Sequence, residues 1–336
     1  MDKYVVILAA GRGSRMQSRN PDHSKVAYPL LDKPIINYVL DAVKAIHPTK
    51  IVTVVGFGGE VTTELAKNDS EVVWQKTING TGTAVLQSRP ILEGKPGLTL
   101  VVYGDTPLIT PETIHNVFRI HEKTGNSMTV VSMVLEKPRG YGRILREYKT
   151  NQLIGIREDR DCSESEIFIN EVNTGMCVVD NELLFKYLDK VTPNNAQHEY
   201  YLSNLVEMFY NDGLKVGTYI VEEAREMFSV NDRTQLAYAA KIIRKRVNQK
   251  LMLSGVSIED PDTAYISPDV EIGKDTVIRP NTTIVGKCKI GENNIIGPSV
   301  YIKDSTIGND NIILSSWLDN YDVGNGQKIF DFKKFE

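Results

Sequence analysis

A glycine-rich segment near the N-terminus has the strongest potential for chemistry in this sequence. It reads LAAGRGSRM over residues 8–16 and directly follows the apolar run Tyr4–Leu8. Glycine and alanine let backbone N–H groups approach a ligand closely, and such a loop at the end of a strand can bind anions. Arg15 and Lys25 add the positive charge that a triphosphate requires. The segment matches neither the dinucleotide-binding motif nor the Walker A loop, so a plain turn stays open beside nucleotide binding.

Two oxygen-bearing residues, far apart in the chain, are candidate metal ligands. Asp105 follows the apolar run Leu98–Tyr103, in the segment YGDTPL, and Asn231 follows Val230. A carboxylate and an amide oxygen suit Mg²⁺, a hard cation that prefers oxygen ligands. Taken singly, Asp105 also fits a turn residue, and Asn231 also fits a helix N-cap.

Cysteine and histidine are too scattered to indicate zinc or a catalytic triad. The three cysteines, Cys162, Cys177 and Cys288, show no CxxC spacing, and the five histidines show no triad pattern. Sparse cysteine fits a reducing compartment, so we expect a cytoplasmic protein. Neither a signal peptide nor a transmembrane stretch is predicted, so we expect no membrane partner. The net charge of −4 does not indicate a nucleic-acid partner.

The elements that must position these residues alternate between strands and helices up to about residue 230. We expect strands at Tyr4–Leu8, Ile51–Val55 and Leu98–Tyr103, and helices at 35–46 and 111–122. This alternation predicts an α/β domain with a mainly parallel mixed sheet of Rossmann-like type and helices on both faces. A further helix, 231–253, has apolar residues at helical spacing and is predicted to link two domains.

A six-residue repeat follows this helix. Isoleucine stands at positions 266, 272, 278, 284, 290, 296 and 302, and the register then slips to 307 and 313. This period is typical of a parallel β-helix, in which one apolar residue of each hexapeptide stacks inside the coil. We expect roughly three coils, with residues 320–336 breaking the pattern as a cap or a loose tail. The predicted domains are 1–230, a linker helix 231–255, and a short left-handed β-helix with a tail over 256–336.

The motifs together resemble the family of bacterial N-acetylglucosamine-1-phosphate uridylyltransferases, which are bifunctional enzymes with a second, acetyltransferase activity. The resemblance covers almost the whole chain, and its motifs occur in the family's order. They are LAAGRGSRM with a following lysine, WQKTINGTGTA at 74–84, YGDTPL at 103–108, YGRI at 141–144, GIRE at 155–158, EVNTG at 171–175 and VNDR at 230–233. The segment Asp22-His23-Ser24-Lys25 departs from the family's more usual Asp-Leu-Pro-Lys, and the loop before it is longer.

The resemblance implies a Mg²⁺-dependent enzyme that makes UDP-N-acetylglucosamine and pyrophosphate from UTP and N-acetylglucosamine 1-phosphate. It places Arg15 and Lys25 in catalysis, and Asp105 with Asn231 on the metal. The Gln75 amide can pair with the polar edge of uracil, and Glu158 and Asn173 can hydrogen-bond the sugar. The implied substrate-binding residues are Leu8, Ala9, Ala10, Gly11, Gln75, Gly80, Thr81, Tyr103, Gly104, Gly142, Glu158, Asn173 and Asn231.

The repeats raise a separate expectation about activity and assembly. Related β-helices pack as trimers, so we expect a homotrimer held by the repeat domain. The resemblance also implies that acetyltransferase activity is lost here through truncation of the repeats. Three alternatives stay open, namely a pyrophosphorylase for another sugar phosphate or for dTTP, a non-catalytic nucleotide-binding regulatory subunit, and an acyltransferase.

Overall fold

The computed structural model describes residues 1–19, 24–330 and 334–335, and the chain divides into two compact units. The first unit contains Met1–Tyr28 and Ile35–Arg233, and the second contains Pro29–Pro34 and Thr234–Glu336. The short segment Pro29–Pro34 thus groups with the repeats rather than with its neighbours in sequence. The domain limits expected from sequence, 1–230, 231–255 and 256–336, stay a prediction.

A mixed, mainly parallel sheet forms the centre of the first unit. The strand Lys3–Ala9 pairs in parallel with Lys50–Val55 on one side and with Leu98–Tyr103 on the other. Glu171–Asp180 runs antiparallel between Leu98–Tyr103 and Met128–Val134. The remaining strands are Glu71–Trp74, Arg143–Arg146, Leu153–Arg157 and Val216–Ile220. The predicted α/β class is confirmed.

Helices cover both faces of this sheet because its strands are apolar on both sides. Alternate residues of the first strand pack in two separate clusters, with Val6 and Leu8 in one and Val5 and Ile7 in the other. The α-helices of this unit are Ile35–Lys44, Gly59–Ala66, Thr81–Leu86, Arg89–Leu92, Pro111–Thr124, Asn181–Leu188 and Asn204–Asn211. Short 3₁₀ turns lie at Ser14–Met16, Lys25–Ala27, Asp159–Asp161, Glu166–Phe168 and Ala224–Met227.

Local sequence signals set several of these elements. Thr110 caps the helix Pro111–Thr124 by accepting a 3.2 Å hydrogen bond from the Thr113 backbone N–H, and Gly125 ends it in the left-handed conformation. The helix expected at 35–46 ends at Lys44, and the helix expected at 231–253 begins at Arg233 and ends at Leu253. Within the residues described, no helix combines the length and apolar character that crossing a membrane requires.

The second unit contains the left-handed parallel β-helix of hexapeptide repeats that the isoleucine period predicts. Its two-residue strands are Ser257–Ile258, Tyr265–Ile266, Glu271–Ile272, Val277–Ile278, Lys289–Ile290, Ile295–Ile296, Thr306–Ile307, Ile312–Ile313, Lys328–Ile329 and Lys334–Phe335, and its three-residue strands are Thr283–Val285, Tyr301–Lys303 and Trp317–Asp319. Ile266 pairs with Ile284 and Ile284 with Ile302, so each coil advances by three hexapeptides. These isoleucines are fully buried in a cluster along the inside of the coil.

The repeats extend further than the three coils expected. Lys328–Ile329 pairs in parallel with Ile312–Ile313, and Lys334–Phe335 pairs with Trp317–Asp319. The expectation that residues 320–336 break the pattern was therefore wrong for the strands that the structure describes there. After Leu318 the paired positions continue at Val323 and Ile329, five and then six residues further on, and Val323 forms a parallel bridge with Ile307.

Candidate active site

The candidate substrate-binding segments meet at the carboxyl ends of the parallel strands. The glycine-rich loop follows Lys3–Ala9, Gly104 follows Leu98–Tyr103, and Gln75 follows Glu71–Trp74. The backbone N–H of Gly104 donates to Leu8 O at 2.9 Å, and that of Gln75 donates to Val55 O at 2.8 Å. A Cβ at Gly104 would lie 2.9 Å from the Ile36 side chain and 3.3 Å from the Ala9 Cβ, so glycine lets this turn lie close to the helix Ile35–Lys44 and to the first strand. Ligands of open α/β sheets bind at this edge.

The side chain of Lys25 runs behind the glycine-rich loop. Gly13 has a φ of +60°, and a Cβ there would lie 2.7 Å from the Lys25 Cβ. Leu8, Ala9 and Ala10 are buried and anchor the loop, whereas Gly11 and Arg15 are exposed. Arg15 lies in the short turn Ser14–Met16. Asp22 and His23, in the segment that departs from the family's pattern, lie outside the described residues.

The ammonium of Lys25 joins the two candidate metal ligands. Its Nζ donates to Asp105 Oδ2 and, at 2.8 Å, to Asn231 Oδ1. Asp105 is 6% exposed, and its Oδ1 atom has no hydrogen-bond partner in the described part of the chain. The Val230 backbone N–H donates to Asp105 O at 2.8 Å, which brings the two ligand segments together.

This arrangement fits a bound divalent cation. The Lys25 ammonium already places one positive charge between the two oxygens, and the unpartnered Asp105 oxygen can accept another cation. No cluster of three or more histidine, cysteine, aspartate or glutamate side chains suited to a metal occurs in residues 1–19, 24–330 and 334–335. The protein therefore offers one carboxylate and one amide. Mg²⁺ usually takes its remaining oxygen ligands from substrate phosphates and water.

The predicted nucleotide-base segment is locked by backbone contacts with Tyr200. Gly80 has a φ of +127°, and a Cβ there would lie 2.4 Å from Tyr200 O, so only glycine fits. The Gly82 backbone N–H donates to Tyr200 O at 2.8 Å. Gln75 is buried, and its amide Nε2 donates to Thr83 Oγ1 at 3.1 Å. The amide of Gln75 is thus held by the same loop that carries Gly80.

A cavity of about 130 Å³ lies beside this loop. Four of the predicted substrate-binding residues line it, namely Thr81, Tyr103, Glu158 and Asn173. The rest of its lining is Met128, Val130, Ile156, Gly175, Cys177, Glu199, Tyr201, Leu202 and Ser203. The wall therefore combines hydrogen-bonding groups with an apolar side, as a substituted hexose requires.

Tyr103 enters the cavity wall because residue 175 is glycine. Gly175 has a φ of +82°, and a Cβ there would lie 2.1 Å from the Tyr103 ring. Burial, followed by the nearby carboxylates of Glu158 and Asp105, raises the pKa of the Tyr103 phenol well above its usual value. The phenol therefore stays protonated in the cavity wall.

Glu158 is held by Ser203 on one side and has space left by Gly142 on the other. Its Oε1 accepts a 2.9 Å hydrogen bond from Ser203 Oγ, and a Cβ at Gly142 would lie 3.1 Å from its Oε2. Gly142 thus leaves room for Glu158 and is not itself in the cavity lining. The backbone N–H of Asn173 donates to Gly142 O at 2.7 Å, which ties the two predicted sugar-binding segments together.

Sequence reasoning missed the segment 199–203, which supplies four residues of the cavity lining. It reads EYYLS and carries neither a periodic pattern nor a glycine signal. It also missed Cys177 and Gly175 as lining residues, although Gly175 belongs to a recognised motif. Gln75, Gly80 and Asn231 lie outside the 130 Å³ cavity lining, and their contacts with base and metal stay predictions.

Comparison with known proteins first shows which class of domain the first unit contains. Residues 5–148, which include the glycine-rich loop, Gln75 and Asp105, match the family model of the MobA-like NTP transferase domain. The first unit therefore contains a nucleotidyltransferase domain.

Similarity over the whole chain then defines the family. The chain is 46% identical to the Bifunctional protein GlmU of Lactobacillus johnsonii, over 96% of this chain and 71% of that protein. It is 44% identical to the Bifunctional protein GlmU of a Geobacillus species, over 98% and 71%, and 42% identical to that of Enterococcus faecalis, over 98% and 71%. The chain belongs to this family, so the resemblance seen in the motifs is confirmed. It is a nucleotidyltransferase, and its class is that of the sugar-1-phosphate uridylyltransferases, also called UDP-N-acetylglucosamine pyrophosphorylases.

Proposed function

We propose that this chain converts UTP and N-acetylglucosamine 1-phosphate into UDP-N-acetylglucosamine and pyrophosphate with Mg²⁺ bound by Asp105 and Asn231. The proposal depends above all on the arrangement of Lys25 between these two side chains, with one Asp105 oxygen left without a partner. Asp105 lies two residues after Tyr103, which lines the cavity, so the phosphates and the sugar would occupy adjoining parts of the site.

The reaction needs no protein nucleophile. A phosphate oxygen of the sugar phosphate attacks the α-phosphorus of UTP, one P–O bond forms, and the bond to pyrophosphate breaks. Arg15 and Lys25 orient the phosphates and stabilise the negative charge that develops on their oxygens. When bound, Mg²⁺ neutralises phosphate charge and helps to align the reacting groups. The cation site and the glycine-rich loop together supply the electrostatic environment that phosphoryl chemistry requires.

Two groups of residues would select the substrates, one for the base and one for the sugar. Gln75, Gly80 and Thr81 would bind uracil, because an amide and a backbone edge match its polar atoms. Glu158 and Asn173 would bind sugar hydroxyls and the acetamido group, whose methyl suits the apolar side of the cavity. The three cysteines are free thiols, which supports the proposal of a reducing, cytoplasmic location.

A pyrophosphate-release assay with a panel of sugar phosphates and nucleoside triphosphates tests this function. The pair UTP and N-acetylglucosamine 1-phosphate should turn over fastest, and turnover should require Mg²⁺. Faster turnover with dTTP and glucose 1-phosphate would refute the substrate assignment while keeping the reaction class. Nucleotide binding without turnover on any pair would favour the regulatory-subunit alternative.

For the repeats, we propose a homotrimeric assembly role without acetyl transfer. The buried isoleucine column and the continuous parallel ladders support a rigid structural module. Residues 199–336 contain no histidine, so the repeats within them have no imidazole to deprotonate an acceptor amine.

A further inference from the structure

Ser203 directs its hydroxyl at Glu158 rather than at its own helix. It stands at the N-cap of Asn204–Asn211, where a serine ordinarily accepts a hydrogen bond from a backbone N–H of the first turn. Its side chain makes no such capping bond with that helix, all of which the structure describes. Instead, Ser203 Oγ donates to Glu158 Oε1 at 2.9 Å, and Ser203 is 8% exposed. Removing this hydroxyl would therefore alter the carboxylate more than it would alter the helix.

The carboxylate of Glu158 is in an unfavourable environment for negative charge. Burial raises its pKa, and the hydrogen bond from Ser203 opposes this shift. The groups that face it are Asp159 and Asp161 on its own turn, Glu199 on the segment before the helix, and the phenols of Tyr103 and Tyr201. A neutral hydroxyl donor is thus a specific means of keeping this carboxylate ionised and fixed in direction.

The two carboxylate oxygens of Glu158 have different neighbours. Oε1 is fixed by Ser203, whereas Oε2 lies on the side that Gly142 leaves clear. A carboxylate fixed through one oxygen can present the other to a sugar hydroxyl in one orientation. A freely rotating carboxylate would lose rotamer entropy on each binding event.

We propose that Ser203 is a positioning residue for the sugar phosphate: its hydroxyl orients the Glu158 carboxylate in the cavity so that this group can accept hydrogen bonds from the substrate. The inference rests on the proposed role of Glu158 in sugar binding. Ser203 acts through Glu158 and contributes to the affinity for the sugar, not to the chemistry at phosphorus.

The test compares Ser203→Ala with Ser203→Thr in steady-state assays at several pH values. In the alanine variant, KM for N-acetylglucosamine 1-phosphate should rise about tenfold, because a hydrogen bond to a charged group is lost. KM for UTP and kcat should stay close to the wild-type values. The threonine variant keeps the hydroxyl and should recover most of the lost affinity.

The pH profile separates positioning from a structural role. Because the Ser203 hydroxyl lowers the pKa of Glu158, its removal should raise that pKa. Loss of kcat/KM for the sugar phosphate on acidification should then begin at a higher pH in Ser203→Ala than in wild type. Ser203→Thr should restore the wild-type profile. A general loss of structure would lower activity without shifting the pH at which kcat/KM begins to fall.

Thr113→Val is a matched control. It removes a 2.6 Å hydroxyl–carboxylate bond, from Thr113 to Glu226, that lies outside the cavity lining. This variant should keep the wild-type KM and pH profile, and thermal melting should show that all three variants fold.

Failure of this inference and failure of the proposed function give different results. A Ser203→Ala enzyme with wild-type KM and pH profile overturns the positioning role, as does an equal rise in both KM values. If wild type does not use N-acetylglucosamine 1-phosphate, the substrate assignment fails instead. The variants are then compared on the sugar phosphate that it does use, with the same two outcomes.

Discussion

The Lys25 ammonium donates a 2.8 Å hydrogen bond to the side-chain oxygen of Asn231, 206 positions away in the chain. The same ammonium contacts Asp105, whose second oxygen is buried and lacks a hydrogen-bond partner among the described residues. An unsatisfied buried carboxylate oxygen is costly unless a ligand completes it. The folded protein thus brings a carboxylate, an amide oxygen and an ammonium together, and we propose that a metal–triphosphate complex binds there.

Replacing Asp105 with asparagine tests this arrangement. The change keeps the shape of the side chain but removes the charge that pairs with Lys25 and with the proposed metal. We expect turnover to fall by about a hundredfold or more, and the Mg²⁺ concentration for half-maximal rate to rise. Asp189→Asn, which changes an exposed carboxylate paired with Arg89 at 2.7 Å, is the control and should leave both quantities unchanged. An Asp105→Asn enzyme with normal metal dependence would exclude this site.

Gly175→Ala should displace the Tyr103 ring from the cavity wall. The added methyl would lie 2.1 Å from that ring, and the residue would also keep a φ of +82°. Gly125→Ala is matched for backbone strain, because Gly125 has a φ of +63° and no atom within 4 Å of the added Cβ. Each variant should lose about 1 kcal/mol of unfolding free energy through the left-handed backbone. Only Gly175→Ala should lose more and also raise KM for the sugar phosphate, measured by denaturant unfolding and by kinetics. Equal behaviour of the two variants would contradict a role for the contact with Tyr103.

Much of the fold could be predicted from local patterns. The six-residue isoleucine period corresponds to the register in which Ile266, Ile284 and Ile302 stack, because each position in the coil repeats the same inward geometry. Thr110 before Pro111 correctly indicated a helix start, because capping depends on neighbouring residues alone.

The remaining parts depend on contacts between distant segments. The residues 199–203 reach the cavity because the Tyr200 backbone bonds to Asn79 and Gly82, and no short-range signal specifies that pairing. Likewise, Pro29–Pro34 groups with the repeats, where Lys33 pairs with Asp269 at 2.8 Å. The strands Pro29–Leu30 and Lys33–Pro34 pair antiparallel as a short hairpin, and one charged residue in such a hairpin gives no indication of its distant partner. The recognised motifs identified Thr81, Tyr103, Glu158 and Asn173 in the cavity lining, but they did not identify Ser203, which contacts Glu158.

The proposed trimer makes a prediction about mass in solution. The three parallel sheets of the β-helix each present one outer face, and Tyr301 stacks on Trp317 with ring centroids 4.0 Å apart on one of them. Sedimentation equilibrium at micromolar concentration should give three times the mass of 37.6 kDa. A monomer at this concentration would refute the trimer without affecting the proposed chemistry of the first unit.

The absence of acetyl transfer is the prediction that most clearly separates the two units. Acetyl transfer from acetyl-CoA to glucosamine 1-phosphate forms an amide bond, releases coenzyme A as a free thiol, and requires removal of a proton from the amine. Histidine suits that general-base role near neutral pH, yet residues 199–336 contain none. Incubation of this 336-residue chain with both compounds should therefore release thiol no faster than a sample without protein. The same preparation should release pyrophosphate from UTP and N-acetylglucosamine 1-phosphate, which controls for an inactive sample. Steady thiol release that depends on the protein would mean that a group other than histidine accepts the proton, and that the repeats have a catalytic role beside their structural one.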